Sequence, residues 1–264
     1  MRNRLVNMRK NSQGENLIKY GYKVLKRRFT KWILHTDLFY VFSKPRRKTK
    51  AYISDIPPIN RNHLQAANYF IDTRMPLNDK SVVYSLGISV DSSFDEFLTK
   101  NYGCEVYMYD PTPASIEYMA KQKNELFKFF PIAVWIENTT LKFSTPSFGG
   151  SSSSFIETND FFYAEARTIS KLMEDNGHSH IDLFKADIEG AALPILLQMI
   201  ELDIIPRQLI VEFERYETED SKIDEFFKKI TFVRNILREK GYEEFLLPRE
   251  KQKYFSLEML FIKI

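Results

Sequence analysis

Small and acidic residues recur directly after short apolar runs, in an order that suits ligand binding. Such runs are typical of buried parallel strands, and open α/β sheets bind ligands outside the carboxyl ends of their strands. We therefore expect these residues to share one edge of a sheet. They are Ser85, Gly87, Asp110, Asp187, Glu189, Glu212 and Glu214. The same rule places His178 and His180, which precede a strand, at the opposite edge.

Asp110 ends the second predicted strand and lies roughly 20 residues after Gly87. An acid at this position can accept hydrogen bonds from both hydroxyls of an adenosine ribose. The same carboxylate can instead be a cap on the approach to the next helix, just before Pro111 and Thr112. Of the two roles, we favour ribose binding.

The loop SLGISVD, residues 85–91, carries a single glycine. A side chain at Gly87 would obstruct a ligand above the sheet, which predicts that the glycine clears a binding site. A diphosphate needs further glycines so that backbone amides can reach it, and Asp91 would repel its charge. Asp91 would not repel a ligand with sulfonium and ammonium groups. The loop therefore argues against NAD and is compatible with S-adenosylmethionine.

Alternating strands and helices must position these residues. We predict strands at 82–86, 104–110, 181–187, 208–214, 242–247 and 257–264, with a strand–turn–strand around IENT, residues 136–139. Helices are expected from Ser93, with Glu96 completing a capping box, after the N-cap Thr112, over ARTISKLMEDNG, and from Ile223 until Gly241. This order predicts a mostly parallel sheet with helices on both faces. The short link between the last two strands predicts that they pair antiparallel.

Composition indicates a globular chain of 264 residues, 44% of them hydrophobic. The single cysteine, Cys104, excludes an intramolecular disulfide, and with only four histidines the chain is poor in zinc ligands. The start MRNRLVNMRK lacks the apolar core of a signal peptide, and no apolar run approaches the ~20 residues of a membrane span. A reducing, cytoplasmic location is expected.

Charge divides the chain into a basic arm and an acidic body. Residues 1–50 hold 15 basic and 2 acidic residues, whereas the remainder holds 23 basic and 33 acidic residues. We predict a basic helical extension at 1–60 and one domain at 61–264. Apolar residues recur at helical spacing within LIKYGYKVLKRRFTKWIL, residues 17–34. That helix either packs on the main domain or lies on an anionic membrane surface, and a nucleic acid is a further candidate partner.

The stretch IDLFKADIEG, residues 181–190, resembles the I-D-L/V-L/F-K-x-D-I/V-E-G motif of FkbM-type methyltransferases. VVYSLGISVDSSFDEFL and GCEVYMYDPT are similar to the eukaryotic methyltransferase-like branch of that family, and QLIVEFER resembles the family's Q-L-x-x-E strand. The resemblance covers roughly residues 80–264. It implies a Rossmann-like class I methyltransferase fold, S-adenosylmethionine as cofactor, and methyl transfer, often onto a sugar hydroxyl.

Three positions depart from the common family pattern. Ser85 stands where many members have an acid, and Asp91 stands where they have a second glycine, although the methyltransferase-like branch shares both changes. Ala192 stands where the motif usually continues with a second acid. The resemblance does not extend to residues 1–60.

Methyl transfer to a hydroxyl requires an aligned acceptor and a group that takes its proton. We predict that Asp187 does this at the junction of cofactor and substrate, with Glu189 as its partner. If the chain turns after Asp187, Glu189 instead holds that turn. Asp187 and Glu212 could also bind a divalent cation. The predicted cofactor-binding residues are Ser85, Gly87, Asp91, Asp110, Ala133 and Asp187.

Two other functions stay open for this sequence. The chain could be an RNA-binding methyltransferase whose basic arm grips phosphates. The D/N-P-P-Y/F sequence that base-amine methylases use does not occur, which argues against that alternative. The chain could also be a non-catalytic adaptor with a methyltransferase fold. Gly87, Asp110, Asp187 and Glu189 argue against lost turnover.

Overall fold

A computed structural model describes residues 51–144, 160–214, 220–248 and 256–264. The basic arm predicted within residues 1–50 lies outside this part, so its helix and its partner stay predictions. Residues Tyr52–Ile264 form one compact unit. No helix among the described residues is long and apolar enough to cross a bilayer.

The described residues contain twelve strands and five helices. The strands are β1 (His63–Ala66), β2 (Tyr69–Asp72), β3 (Val83–Leu86), β4 (Val106–Tyr109), β5 (Phe127–Phe130), β6 (Ala133–Val134), β7 (Thr139–Ser144), β8 (Phe161–Arg167), β9 (Leu183–Ala186), β10 (Gln208–Glu214), β11 (Tyr242–Leu246) and β12 (Ser256–Lys263). The helices are α1 (Ser93–Tyr102), α2 (Pro113–Met119), α3 (Ile169–Asn176), α4 (Ala192–Glu201) and α5 (Asp220–Glu239).

Seven strands form the central sheet, in the order β11-β12-β10-β9-β3-β4-β5. All neighbouring pairs are parallel except those of β12, which runs antiparallel to both β10 and β11. This confirms the predicted α/β sheet and its antiparallel last pair. Because β9 and β3 lie at the centre, the residues that follow these two strands meet at the middle of one sheet edge.

Each face of the central sheet carries its own hydrophobic core. Successive strand residues point to opposite faces, so that Leu183 joins one core and Phe184 the other. One core includes buried residues of α3, α4 and α5. The other includes residues of α1, α2 and the β1–β2 hairpin. The prediction of helices on both faces is therefore confirmed, with a hairpin as an additional cover.

Capping residues fix where several helices begin and end. The Thr112 side chain accepts a hydrogen bond from the Ser115 amide at 3.3 Å, and Pro113 opens α2, as predicted. At α1 the predicted Ser93–Glu96 capping box is wrong. Asp91 accepts from the Ser93 amide at 3.0 Å, while Glu96 accepts from the Ser92 hydroxyl. The carboxylate of Asp91, two residues upstream of Ser93, therefore caps this helix start.

Two β-structures differ from the sequence prediction. The β1–β2 hairpin was not predicted, because its turn lacks glycine and Ala67 instead adopts a positive φ of 51°. The strands flanking IENT do not pair with each other. Strand β8 lies between them, parallel to β6 and antiparallel to β7. Both structures lie beside the predicted site, and residues of each line the cavity described below.

Candidate functional site

A cavity of about 410 Å³ opens at the carboxyl ends of the central strands. This volume lies within the range of small-molecule pockets. Ser85 is fully buried and does not line the cavity, and Glu214 does not line it either. Most of the predicted site residues do line it, namely Gly87, Asp91, Asp110, Ala133, Asp187, Glu189 and Glu212.

The charge of the cavity wall is strongly one-sided. Among the described lining residues there are seven acids and one lysine. That lysine, Lys185, is buried and donates hydrogen bonds from Nζ to the backbone oxygens of Leu86 at 3.3 Å and Gly87 at 2.5 Å. Its charge therefore braces the loop that follows β3. A cavity with this balance favours a cationic ligand and disfavours a phosphate.

Gly87 is required for a reason that differs from the predicted one. Its φ is +78°, and an added Cβ would lie 1.8 Å from the backbone oxygen of Asp187. A side chain is therefore excluded by the close approach of the two central strand ends. The expectation that Gly87 clears space for a ligand is replaced by this packing constraint, although the residue does line the cavity.

Asp110 organises the loop at the cavity mouth. Its Oδ2 accepts hydrogen bonds from the amides of Ile88 and Ser89 at 2.8 and 2.9 Å. Its Oδ1 accepts from the amide and the hydroxyl of Thr112 at 2.9 and 2.6 Å. A carboxylate has about four acceptor sites, and all are engaged here. A ribose hydroxyl would have to replace one of these donors, so ribose binding stays a prediction.

The turn after β9 decides between the two roles predicted for Glu189. The strand ends at Ala186, and Glu189 and Gly190 both have positive φ, of 47° and 82°. The chain therefore turns after Asp187, which is the condition under which Glu189 is expected to hold that turn. Both side chains nevertheless line the cavity. A positive φ is unfavourable for glutamate, and such backbone strain is often found at functional sites.

Asp187 lies at the centre of a buried network. The Tyr69 hydroxyl donates to Asp187 Oδ2 at 2.6 Å, and the Tyr69 ring lies 5.1 Å from Lys185 Nζ. Burial raises the pKa of Tyr69 far above the usual phenol range, and the Asp187 carboxylate raises it further, so the phenol remains a donor. Residue 69 comes from the hairpin that the sequence did not reveal.

Glu212 adds a protonated carboxyl to this network. Burial, the charge and hydrogen bonding of Asp187, and the charges of Glu214 and Glu258 together raise the pKa of Glu212 to about 9. Glu258 lies directly opposite Glu212 in the β10–β12 ladder and is also buried. Like charges in this arrangement are destabilising. At neutral pH, Glu212 therefore holds a proton and can hydrogen-bond to Asp187.

The predicted cation site at Asp187 and Glu212 receives no support from the geometry. In the described ranges, no group of three or more His, Cys, Asp or Glu residues is arranged to hold a metal ion. The physical reason lies in the two side chains themselves. Asp187 accepts a phenol hydrogen bond, and the raised pKa of Glu212 favours a neutral carboxyl, which is a poor metal ligand.

The histidines lie where the strand-end rule places them. His178 Nδ1 is 2.9 Å from the Tyr84 hydroxyl, and His180 Nε2 is 3.3 Å from the Asp182 carboxylate. Both residues precede β9 and neither lines the cavity.

Tyr69, Asp95, Lys185 and Glu258 are ionisable cavity residues that were not among the predicted site residues. Glu258 could have been predicted from the sequence, because an acid interrupts the apolar strand LEMLFIKI at a position that must be buried. Lys185 lies within the motif itself. Asp95 and Tyr69 gave no signal, because their role depends on contacts between segments distant in sequence.

Comparisons with known proteins agree with this geometry. Residues 82–244 match the family model described as Methyltransferase FkbM domain. Two relatives are both named "Probable methyltransferase-like protein 24". The Rattus norvegicus protein is 26% identical over 132 residues, covering 49% of this chain and 32% of the relative. The Homo sapiens protein is 24% identical over 188 residues, covering 70% and 46%. The chain thus spans less than half the length of these relatives.

A solved rRNA methylase from Streptococcus thermophilus aligns with a TM-score of 0.40 and 10% identity, covering 84% of this chain and 98% of that chain.

Proposed function

Because this chain belongs to the FkbM methyltransferase family, we propose that it transfers a methyl group from S-adenosylmethionine to a hydroxyl group, with a sugar or another small hydroxyl compound as acceptor. The observation that carries the proposal is the acidic cavity at the carboxyl ends of the central strands, with Asp187 at its centre. S-adenosylmethionine supplies an electrophilic methyl carbon on a cationic sulfur.

The residues present fit such a cofactor. Seven acids against one internally engaged lysine suit a ligand with sulfonium and ammonium groups. Asp95 presents a buried carboxylate oxygen that has no hydrogen-bond partner among the described residues. Asp110 stands at the end of β4, where an adenosine ribose is expected, and holds two amides of the loop after β3. Asp91, Asp110 and Asp187 would hold the cofactor.

Asp187 is proposed to take the proton of the acceptor hydroxyl. The phenol of Tyr69 fixes one of its oxygens at 2.6 Å, which orients the carboxylate. Protonated Glu212 provides a second hydrogen bond and adds no second negative charge beside Asp187. A carboxylate oriented in this way at the cavity wall can act as a general base. Glu189 braces the turn that carries it.

Substitution of Asp187 by Asn tests this role, because it keeps the size and removes the charge. The assay follows labelled methyl groups from S-adenosylmethionine to a panel of sugars, polyols and phenols. Transfer is expected to fall by about 10²-fold or more, in line with general-base contributions. Binding of S-adenosylhomocysteine is expected to change much less. Glu243→Gln, at an exposed ion pair away from the cavity, is the matched control.

The remaining outcomes separate the competing functions. Unchanged transfer by Asp187→Asn would remove Asp187 from the mechanism, with Glu212 next to be tested. Activity lost on chelation and restored by Mg²⁺ or Mn²⁺ would favour the divalent cation. Methylation of RNA alone would favour the nucleic-acid alternative. Absence of transfer to any acceptor, with intact S-adenosylhomocysteine binding, would favour an adaptor.

A further inference from the structure

Asp95 is a buried carboxylate at the cavity wall that takes no part in the proposed proton transfer. It lies in the first turn of α1, is only 2% exposed and lines the cavity. Its Oδ1 atom has no hydrogen-bond partner among the described residues. Buried polar atoms nearly always have partners. A buried carboxylate oxygen without a partner at a cavity wall therefore points to a ligand with hydrogen-bond donors.

The surroundings of Asp95 do not compensate its charge. Burial raises the pKa of Asp95 to about 6, although Lys185 and Ser85 both favour the ionised form. Lys185 directs its hydrogen bonds to the backbone oxygens of Leu86 and Gly87, so it does not satisfy Asp95 Oδ1. An acid in the first turn of a helix commonly stabilises the helix start from an exposed position. Asp91 already caps α1.

A cation with N–H donors would resolve both features together. It would give Asp95 Oδ1 a charge-assisted hydrogen bond and would offset the cost of burying the charge. S-adenosylmethionine carries two positive groups. The sulfonium has no hydrogen to donate, whereas the ammonium has three N–H donors. Of these two positive groups, only the ammonium can donate a hydrogen bond to the Asp95 carboxylate.

We propose that Asp95 binds the ammonium group of the cofactor's amino-acid end. This inference rests on the proposed function, since it assigns one contact of that cofactor. Asp95, on α1, can form an ion pair with the ammonium group. The neighbouring Ser85, in β3, cannot, because its hydroxyl carries no charge.

Calorimetry with two ligands tests the assignment. One ligand is S-adenosylhomocysteine, and the other is its desamino analogue, in which hydrogen replaces the ammonium group. The wild-type chain is expected to bind S-adenosylhomocysteine about 10-fold or more tightly than the analogue. Asp95→Asn is expected to weaken S-adenosylhomocysteine by a similar factor and to leave the analogue within about 3-fold, as for an uncharged contact. Glu96→Gln, the exposed neighbour on α1 that does not line the cavity, is the control.

The outcomes distinguish this inference from the proposed function. Equal weakening of both ligands by Asp95→Asn would show a structural role and overturn the assignment. Equal affinity of the wild-type chain for both ligands would overturn it without any variant, which keeps the test decisive if Asp95→Asn does not fold. If the wild-type chain binds neither ligand, the proposed function fails, and the inference fails with it.

Discussion

Glu212 and Glu244 are both buried glutamates of the central sheet, in β10 and β11, yet their surroundings are opposite. Glu244 accepts hydrogen bonds from Arg234 at 2.7 and 2.9 Å and from Arg238. Asp55 completes this group, which we call the Arg234 cluster. Glu212 instead faces further carboxylates, namely Asp187, Glu214 and Glu258.

The difference teaches how charge is used in this molecule. In the Arg234 cluster the buried carboxylate of Glu244 meets two arginines, and the cluster joins residue 55 to α5 and β11. Such an arrangement holds these three segments of the fold together. In the cavity, carboxylates accumulate without matching cations, which costs stability. Buried carboxylates without matching cations are expected where a protein retains these groups for binding or chemistry.

The largest effect is expected at the Arg234 cluster. Arg234→Ala would leave Glu244 buried with only Arg238 as a cationic partner, and Arg238 is partly exposed. Removing one partner of a buried ion pair costs about 3–5 kcal/mol, so the free energy of unfolding should fall by about this amount in urea titration. Lys229→Ala, which breaks an exposed pair with Glu225 on the same helix, should leave stability almost unchanged. Similar losses of unfolding free energy in both variants would show that the buried Arg234 pair stabilises the fold no more than an exposed pair does.

Glu212→Gln is expected to have the opposite sign. The folded-state pKa of Glu212 is raised above its unfolded value of 4.5, so the native state binds the proton more tightly. Its stabilising contribution is full below pH 4.5 and is lost as the pH rises towards about 9. The neutral amide removes this loss and can still donate to Asp187. At pH 9 the variant should be more stable by on the order of 2 kcal/mol.

Thermal unfolding at pH 6 and pH 9 checks this prediction. The gain of Glu212→Gln over the wild-type chain should be larger at pH 9. Glu243→Gln, at an exposed carboxylate paired with Arg74, should show no such gain. A Glu212→Gln chain that is less stable at both pH values would mean that the ionised side chain is compensated after all.

A smaller effect is expected from Tyr69→Phe. The change removes the 2.6 Å hydrogen bond to Asp187 and keeps the ring beside Lys185. One hydrogen bond to a charged group contributes about 1.5–3 kcal/mol, part of which water entering the cavity can replace. We expect kcat to fall several-fold, KM to change little, and the acid limb of the pH profile to move to higher pH. Tyr102→Phe, on α1 and away from the cavity, is the control. A profile identical to that of the wild-type chain would exclude a positioning role for Tyr69.

The sequence predicted the fold well because its signals are local. Apolar runs, the Thr112 cap and the glycine that ends α3 each depend on a few neighbouring residues. The strand-end rule then brought Asp110, Asp187 and Glu212 to one cavity. These predictions required only the order of strands and helices and the direction of each strand.

The rest of the site depends on contacts between distant segments. Tyr69 reaches Asp187 across 118 residues of sequence, from a hairpin with no glycine turn. Gly87 is explained by the backbone of Asp187, which is 100 positions away. The occupied acceptor sites of Asp110 and the missing partner of Asp95 Oδ1 are properties of packed side chains. No periodicity or spacing encodes them, so sequence reasoning could place these residues but not assign their tasks.

The central claim is that the acidic cavity binds S-adenosylmethionine. Calorimetric titration of the chain with S-adenosylhomocysteine and, separately, with NADH tests it most directly. We predict saturable one-site binding of S-adenosylhomocysteine. We predict no binding of NADH, because Asp91 and the other cavity acids would repel its diphosphate. Binding of NADH without binding of S-adenosylhomocysteine would contradict the account.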